Sequence, residues 1–483
     1  MYKNAEMHNH PSGIIKTELH LRFYQGEKSM EETKEKLLGI PELTCYGIGN
    51  CIGSGIFVSL GVSIGYTGAS ITCAIAVSCI MVLFAYGYKT IMAGMFVLPG
   101  GRYSQAALLQ PTFLVGISAL ASAFAGLSFA MYAISIVEYA ATVFPAIAAY
   151  DKLIELLILT LFFATTLLGD KFMGAFNMIM VVVLIAALCV YICVGLPQVD
   201  WGSISPGTGD FFCGGAAGFL MAVATMSFAC QGSTLPVDMT AKTKNPKRSL
   251  PIAILLSSLV ILVVYCLISI VSSGILPVEE VADQNLGVVA KSIFPWPVFV
   301  IFIIGGACFA IATSLYSTIA SIRYPLLATI EDGWLPKFLG VKTKGGYPWL
   351  LMLLLYLTAI IPVFADLSLQ ALISVIMIPT MILNTVNNIL VIGLVKRYPD
   401  AWKRSFFHMP MPLFHLIMVI AALCSAVMAL ALFVTMDAGE RVLLVALLAV
   451  TIIYCAYRLK AGKVNLSDIE RARQQAEKDA LAS

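Results

Sequence analysis

Apolar segments long enough to cross a bilayer recur along almost the whole chain, and they limit its fold more than any other feature. A hydrocarbon core of about 30 Å needs about 20 apolar residues in a helix. Twelve such segments are expected at roughly 42–65, 68–92, 113–143, 153–168, 172–195, 214–237, 249–274, 297–325, 349–365, 367–394, 413–435 and 440–459. Tilt accommodates those longer than 25 residues. Only 12% of the 483 residues are charged and 59% are hydrophobic. Soluble proteins carry roughly 25% charged residues, so the usual solvating surface is missing. The period-2 pattern of a membrane β-barrel is absent. The expected fold class is an all-α polytopic membrane protein with 12 transmembrane helices.

The positions of the basic residues orient these spans. With an internal N-terminus, 27 of the 30 Lys and Arg residues fall on the inner side, and only Lys152, Lys291 and Arg441 fall outside. Inner loops collect Lys and Arg, so both termini are expected in the cytosol. The first 40 residues are polar, which is unlike a cleavable signal peptide. His8, His10 and His20 lie in that tail and read as solvated histidines. The twelve cysteines follow no framework spacing, and several sit inside apolar segments as small hydrophobes (Cys73, Cys79, Cys189, Cys308). No structural disulfide is expected. Ser467-Asp468-Ile469-Glu470 is a capping-box pattern that opens a short helix in the C-terminal tail.

The first span contains an anomaly. Residues 47–57 read Gly-Ile-Gly-Asn-Cys-Ile-Gly-Ser-Gly-Ile-Phe, and each glycine costs a helix about 1 kcal/mol relative to Ala. A broken membrane helix is tolerated only where its freed N–H and C=O groups meet protein, water or a ligand. The Gly49–Gly53 spacing is also that of close helix packing, so packing and binding weigh equally here. An inverted repeat predicts a second break at the equivalent place. Five spans on, Gly232 and Pro236 interrupt the segment 225–236, beside polar Gln231, Ser233 and Thr234. The chain thus divides into a tail (1–40), two five-helix repeats (41–195 and 196–396), helices 11 and 12 (397–460) and a C-terminal tail (461–483).

These residues resemble the amino acid–polyamine–organocation (APC) superfamily of transporters, of the amino acid permease type. Gly53-Ser54-Gly55-Ile56-Phe57 is similar to the family's first-helix signature, and Phe228-Ala229-Cys230-Gln231-Gly232 to its sixth-helix break. Lys244-Asn245-Pro246-Lys247-Arg248-Ser249-Leu250-Pro251 resembles the loop before helix 7. Weaker matches are Gly100-Gly101-Arg102-Tyr103 and Glu331-Asp332-Gly333-Trp334-Leu335-Pro336. The resemblance covers roughly residues 38–410. It implies a 5+5 inverted repeat and an alternating-access carrier whose broken helices 1 and 6 cradle an amino acid. The backbone around Ile52, Gly53, Ser54 and Gly55 would bind the carboxylate at a half-helix N-terminus. Carbonyls at Phe228, Ala229 and Cys230 would meet the ammonium. Selectivity would come from Phe228, Cys230 and Thr234, around the break at Gly232. Filling the space at Gly55 with Leu is expected to abolish binding.

Two departures sharpen this. Some relatives for basic substrates carry an acidic residue near Thr234, and no Asp or Glu lies inside spans 1, 6, 8 or 10. Burying an unpaired cation costs several kcal/mol, which favours a neutral substrate. Thr90-Ile91-Met92-Ala93 stands where the family often has Glu-Leu, so the match departs from the family at the inner end of helix 2. Lys89 is expected to snorkel to the inner interface, and Glu138 to be interfacial.

The leading expectation is secondary active transport of a small or neutral amino acid across the plasma membrane, by symport or exchange. The alternatives are an amine, polyamine or cationic amino acid exchanger, and a non-transporting sensor. No enzyme constellation, metal site, cofactor or nucleic-acid partner is expected. The protein would be a monomer or homodimer in the lipid bilayer. Coupling to a proton, or to sodium at Thr313, Ser314 and Ser317, is open.

Overall fold

The computed structural model describes residues 38–483 apart from 54, 99–100, 122–123, 125, 166–169, 344–346, 366, 465–466 and 482–483. Helices of eight or more residues are numbered in order. They are α1 (Ile40–Ile52), α2 (Gly55–Thr67), α3 (Ile71–Ala85), α4 (Gly87–Met95), α5 (Gly101–Leu109), α6 (Thr112–Ala121), α7 (Leu127–Val143), α8 (Asp151–Thr165) and α9 (Asp170–Gly195). There follow α10 (Gly215–Cys230), α11 (Pro246–Gly274), α12 (Phe309–Glu331), α13 (Trp349–Phe364), α14 (Leu369–Arg397), α15 (Met411–Thr435), α16 (Ala438–Lys460) and α17 (Ser467–Leu481). Among the described residues, eight helical segments are long and apolar enough to cross a membrane. Among the described residues, each of the twelve expected segments overlaps helix, from a single helix to the three joined pieces of span 8.

The outer face agrees with a lipid environment. Leu153, Leu157 and Leu161, at helical spacing on α8, are more than half exposed. So are Val442, Val445 and Ile453 on α16. Soluble monomers rarely expose apolar surface on this scale. The protein is a multi-pass membrane protein.

Several spans are not continuous α-helices. α1 ends at Ile52 and α2 begins at Gly55. α10 ends at Cys230, and the chain continues as 12 residues of 3-10 helix, Gln231–Lys242. Runs of that winding beyond three or four residues are uncommon. Side-chain hydroxyls explain this one: Ser233, Thr234 and Thr240 each donate to a carbonyl three residues back, at 3.0, 2.9 and 2.6 Å. Pro236 has no N–H to restore α-helical bonding.

Span 2 kinks between α3 and α4, where the Asn388 amide fits the opening. Its Nδ2 donates to the Ala85 carbonyl at 2.9 Å, and its Oδ1 accepts from the Tyr88 N–H at 3.0 Å. Span 8 holds a π-helical turn, Phe302–Cys308, ahead of α12.

The weaker motifs find structural roles. Gly101 has φ +59°, and a Cβ there would lie 2.9 Å from Asp238 Oδ1. This close approach lets the Arg102 N–H donate to Asp238 at 3.1 Å, while the guanidinium Nε donates to the same carboxylate at 3.0 Å. Tyr103 donates its hydroxyl to Asp332 at 2.7 Å, which joins the two weakest motifs. Gly333, at φ +81°, follows Asp332, and the Arg458 guanidinium donates to its carbonyl. Asn245, also left-handed at φ 50°, precedes Pro246 at the start of α11. The C-terminal helix α17 begins at Ser467 as the capping pattern predicts; residues 465–466 before it lie outside the description. Ile469 and Ala472 of α17 pack against Tyr103, Ala107 and Ala119, and Asp479 accepts from the Val97 N–H at 2.7 Å.

Candidate functional site

The two interrupted spans lie side by side. A Cβ at Gly55 would stand 2.5 Å from the Ala229 Cα, and one at Gly232 would stand 2.7 Å from the carbonyl carbon of Asn50. Each break therefore brings a glycine against the backbone of the other, an approach that only a bare Cα allows. The Cys51 thiol donates to the Cys230 carbonyl at 3.4 Å, and the Cys79 and Cys230 sulfurs are 3.2 Å apart. Tyr265 of α11, fully buried, donates its hydroxyl to the Cys51 carbonyl at 2.6 Å, and the Ala229 carbonyl lies 3.4 Å from the same oxygen. This residue carries no sequence signal; a Tyr in an apolar span reads only as bulk.

A cavity of about 270 Å³ opens at this junction. Of the expected binding residues, Gly55, Phe228, Gly232 and Thr234 line it. Ile52, Gly53, Ala229 and Cys230 are packed behind them, with Ile52, Ala229 and Cys230 at most 5% exposed. Gly53 faces α12, and a Cβ there would collide with the Ser314 hydroxyl. Ser54 lies outside the described residues. The Cys230 carbonyl is occupied by Cys51 and Ser233, and Thr234 bonds its own helix. Gly49 lines the cavity too, and a Cβ there would meet nothing within 4 Å.

The cavity extends from the breaks toward the end of the bundle that holds Lys89 and Arg102. Both line it, and no carboxylate does among its described lining residues. Asp238 neutralises Arg102 from behind. Lys89 does not point away from the core; its Nζ sits 4.5 Å from the centre of the Tyr86 ring. On the other side of the breaks the bundle is closed. The Tyr139 hydroxyl donates to the Phe57 carbonyl at 2.8 Å and accepts from the Leu286 N–H at 3.1 Å. The Asp283 N–H donates to the Gly61 carbonyl at 3.0 Å, and burial pushes the Asp283 carboxyl above its usual range.

Of the hydroxyls weighed for sodium, Ser314 and Ser317 line the cavity. Thr313 donates to the Ala310 carbonyl of its own helix at 2.7 Å. Glu138 is exposed, at a second cavity of about 270 Å³ that Lys152 and buried Glu155 also line. No cluster of three or more His, Cys, Asp or Glu suited to a metal ion occurs among the described residues.

Chemically, the junction gathers opposite helix ends. The C-terminal ends of α1 and α10 present carbonyls, and the N-terminal end of α2 presents N–H groups. Such ends carry partial charges of about half a unit, negative and positive respectively.

A family model described as amino acid permease matches residues 38–455. The methylthioribose transporter of Bacillus subtilis is 26% identical over 285 residues, 54% of this chain and 59% of that protein. The branched-chain amino acid permease BcaP of the same organism is 27% identical over 333 residues, 64% of this chain and 70% of its own. Cationic amino acid transporter 1 of Arabidopsis thaliana is 24% identical over 348 residues, 68% of this chain and 58% of its own.

Proposed function

The chain belongs to the amino acid permease family, and from that premise we propose that it is a secondary carrier that moves a neutral amino acid by alternating access. Membership of a permease family makes it a transporter of amino acids and not an enzyme. The substrate class, the mechanism and the membrane are our own reading: the plasma membrane, with both termini in the cytosol.

One observation carries the proposal. The two helix breaks meet at a cavity, with carbonyl-bearing ends of α1 and α10 beside the N–H-bearing end of α2. A zwitterion has the complementary charges. Its carboxylate suits the N-terminus of α2 at Gly55, and its ammonium suits the carbonyl ends. The Cys230 carbonyl is already engaged, so the Phe228 end of α10 is the better ammonium partner. The cavity opens on the Lys89 side and is closed at Tyr139 and Asp283, which supports an inward-facing form.

Lys89 bears on the choice of substrate. The relatives include carriers named for cationic and for branched-chain amino acids. A cavity with an excess cation and no lining carboxylate disfavours a cationic side chain, because the like charges repel in a low dielectric.

Thermal unfolding of the purified protein with each amino acid tests this. Ligand that binds only the folded state stabilises it by mass action, about 2.7 kcal/mol at one hundred times Kd. Neutral amino acids are expected to raise Tm and lysine and arginine are not. A rise with arginine alone would overturn the neutral assignment, and no rise with any amino acid would overturn the carrier reading.

A further inference from the structure

The cavity wall also has a chemistry that helix ends do not explain. It is built from carboxamides, and the protein itself consumes their oxygens. Tyr86 donates to Gln231 Oε1 at 2.8 Å, and Gln110 Nε2 donates to Asn387 Oδ1 at 2.7 Å. Beside them Asn384, on α14, lines the cavity at 2% exposure. Its buried Nδ2 makes no hydrogen bond of ordinary geometry among the described residues, with the Tyr86 hydroxyl beside the amide. Buried side-chain donors almost always have partners. An orphan that lines a cavity points to a ligand group that completes it.

We propose that Asn384 reads an acceptor oxygen on the substrate's side chain, so that the carrier selects a polar, uncharged amino acid, with a carboxamide side chain foremost. This rests on the carrier reading above and narrows it. The substrate's α-carboxylate and ammonium stay at the helix breaks, and its side chain points toward α14. The wall offers a donor in Asn384 Nδ2, which makes no hydrogen bond of ordinary geometry among the described residues. An aliphatic side chain would leave the Asn384 donor unsatisfied, a loss that a site built to hydrogen-bond its substrate turns into discrimination.

Isothermal titration of the purified full chain with glutamine and methionine tests this, since the two side chains have similar length and differ in polarity. Glutamine is expected to bind about tenfold more tightly. In Asn384→Leu, of similar shape, that margin should disappear, because glutamine loses its donor and methionine no longer leaves one unsatisfied. Asn384→Ala serves the same purpose should the leucine variant not fold. Equal binding of the two amino acids by the unaltered protein, or a margin that survives in the variant, overturns the inference and leaves the carrier reading intact. Failure of every amino acid to bind removes both.

Discussion

A Cβ added at Gly55 would lie 2.5 Å from the Ala229 Cα, closer than unbonded carbons approach, whereas one at Gly49 would enter open space. Gly47 abuts Ser257 and Gly53 abuts Ser314, so packing and binding share this stretch residue by residue. Period and composition make the four glycines look alike; only the neighbours they meet separate them. A leucine at Gly55, expected from the sequence to exclude ligand, would first push the two breaks apart. Overpacking of that kind costs about 1–3 kcal/mol. Thermal unfolding should therefore show Gly55→Ala destabilised, and Gly49→Leu close to the unaltered protein. Equal losses in the two would contradict this division. Tyr265 shows the opposite limit of legibility. Its hydroxyl satisfies a carbonyl freed by the α1 break 214 positions away in the chain, a pairing that no local pattern encodes.

At the scale of elements, both helix interruptions follow from residues readable in advance: glycines in span 1, and Gly232, Pro236 and carbonyl-bonding hydroxyls in span 6. The kink of span 2 was not readable, because what holds it open is Asn388 from α14. The π-helical turn at Phe302–Cys308 likewise has no signature beyond Gly305 and Gly306. The Gly-Gly-Arg-Tyr motif was visible as a string, but its purpose depends on Asp238, inside the 3-10 segment. That pair joins α5 to the interrupted sixth span at the end toward which the cavity opens. If it sets the position of α5, Arg102→Asp and Asp238→Arg should each lower transport, and the double reversal should recover part of it. A double variant no better than the worse single one would show that the pair does not act as a unit. The coupling, measured as the departure from additivity, should fall in the range of about 0.5–3 kcal/mol typical of contacting residues.

At the scale of the whole molecule, one end of the bundle is bonded shut through Tyr139, Leu286 and Asp283, while the other admits a cavity down to the paired breaks. Charge asymmetry and the recurrence of apolar segments announced the membrane class and the helix positions. Which end is open is a property of the conformation and has no trace in the sequence. A carrier must also adopt the reverse arrangement, with its substrate held at the breaks in both. Uptake of labelled neutral amino acid into liposomes is the most direct measure of this account. The unaltered protein should accumulate label, and Gly49→Leu, folded and inserted but with its cavity filled, should not. Label accumulating equally in both would contradict the assignment of the cavity between the breaks as the transport site.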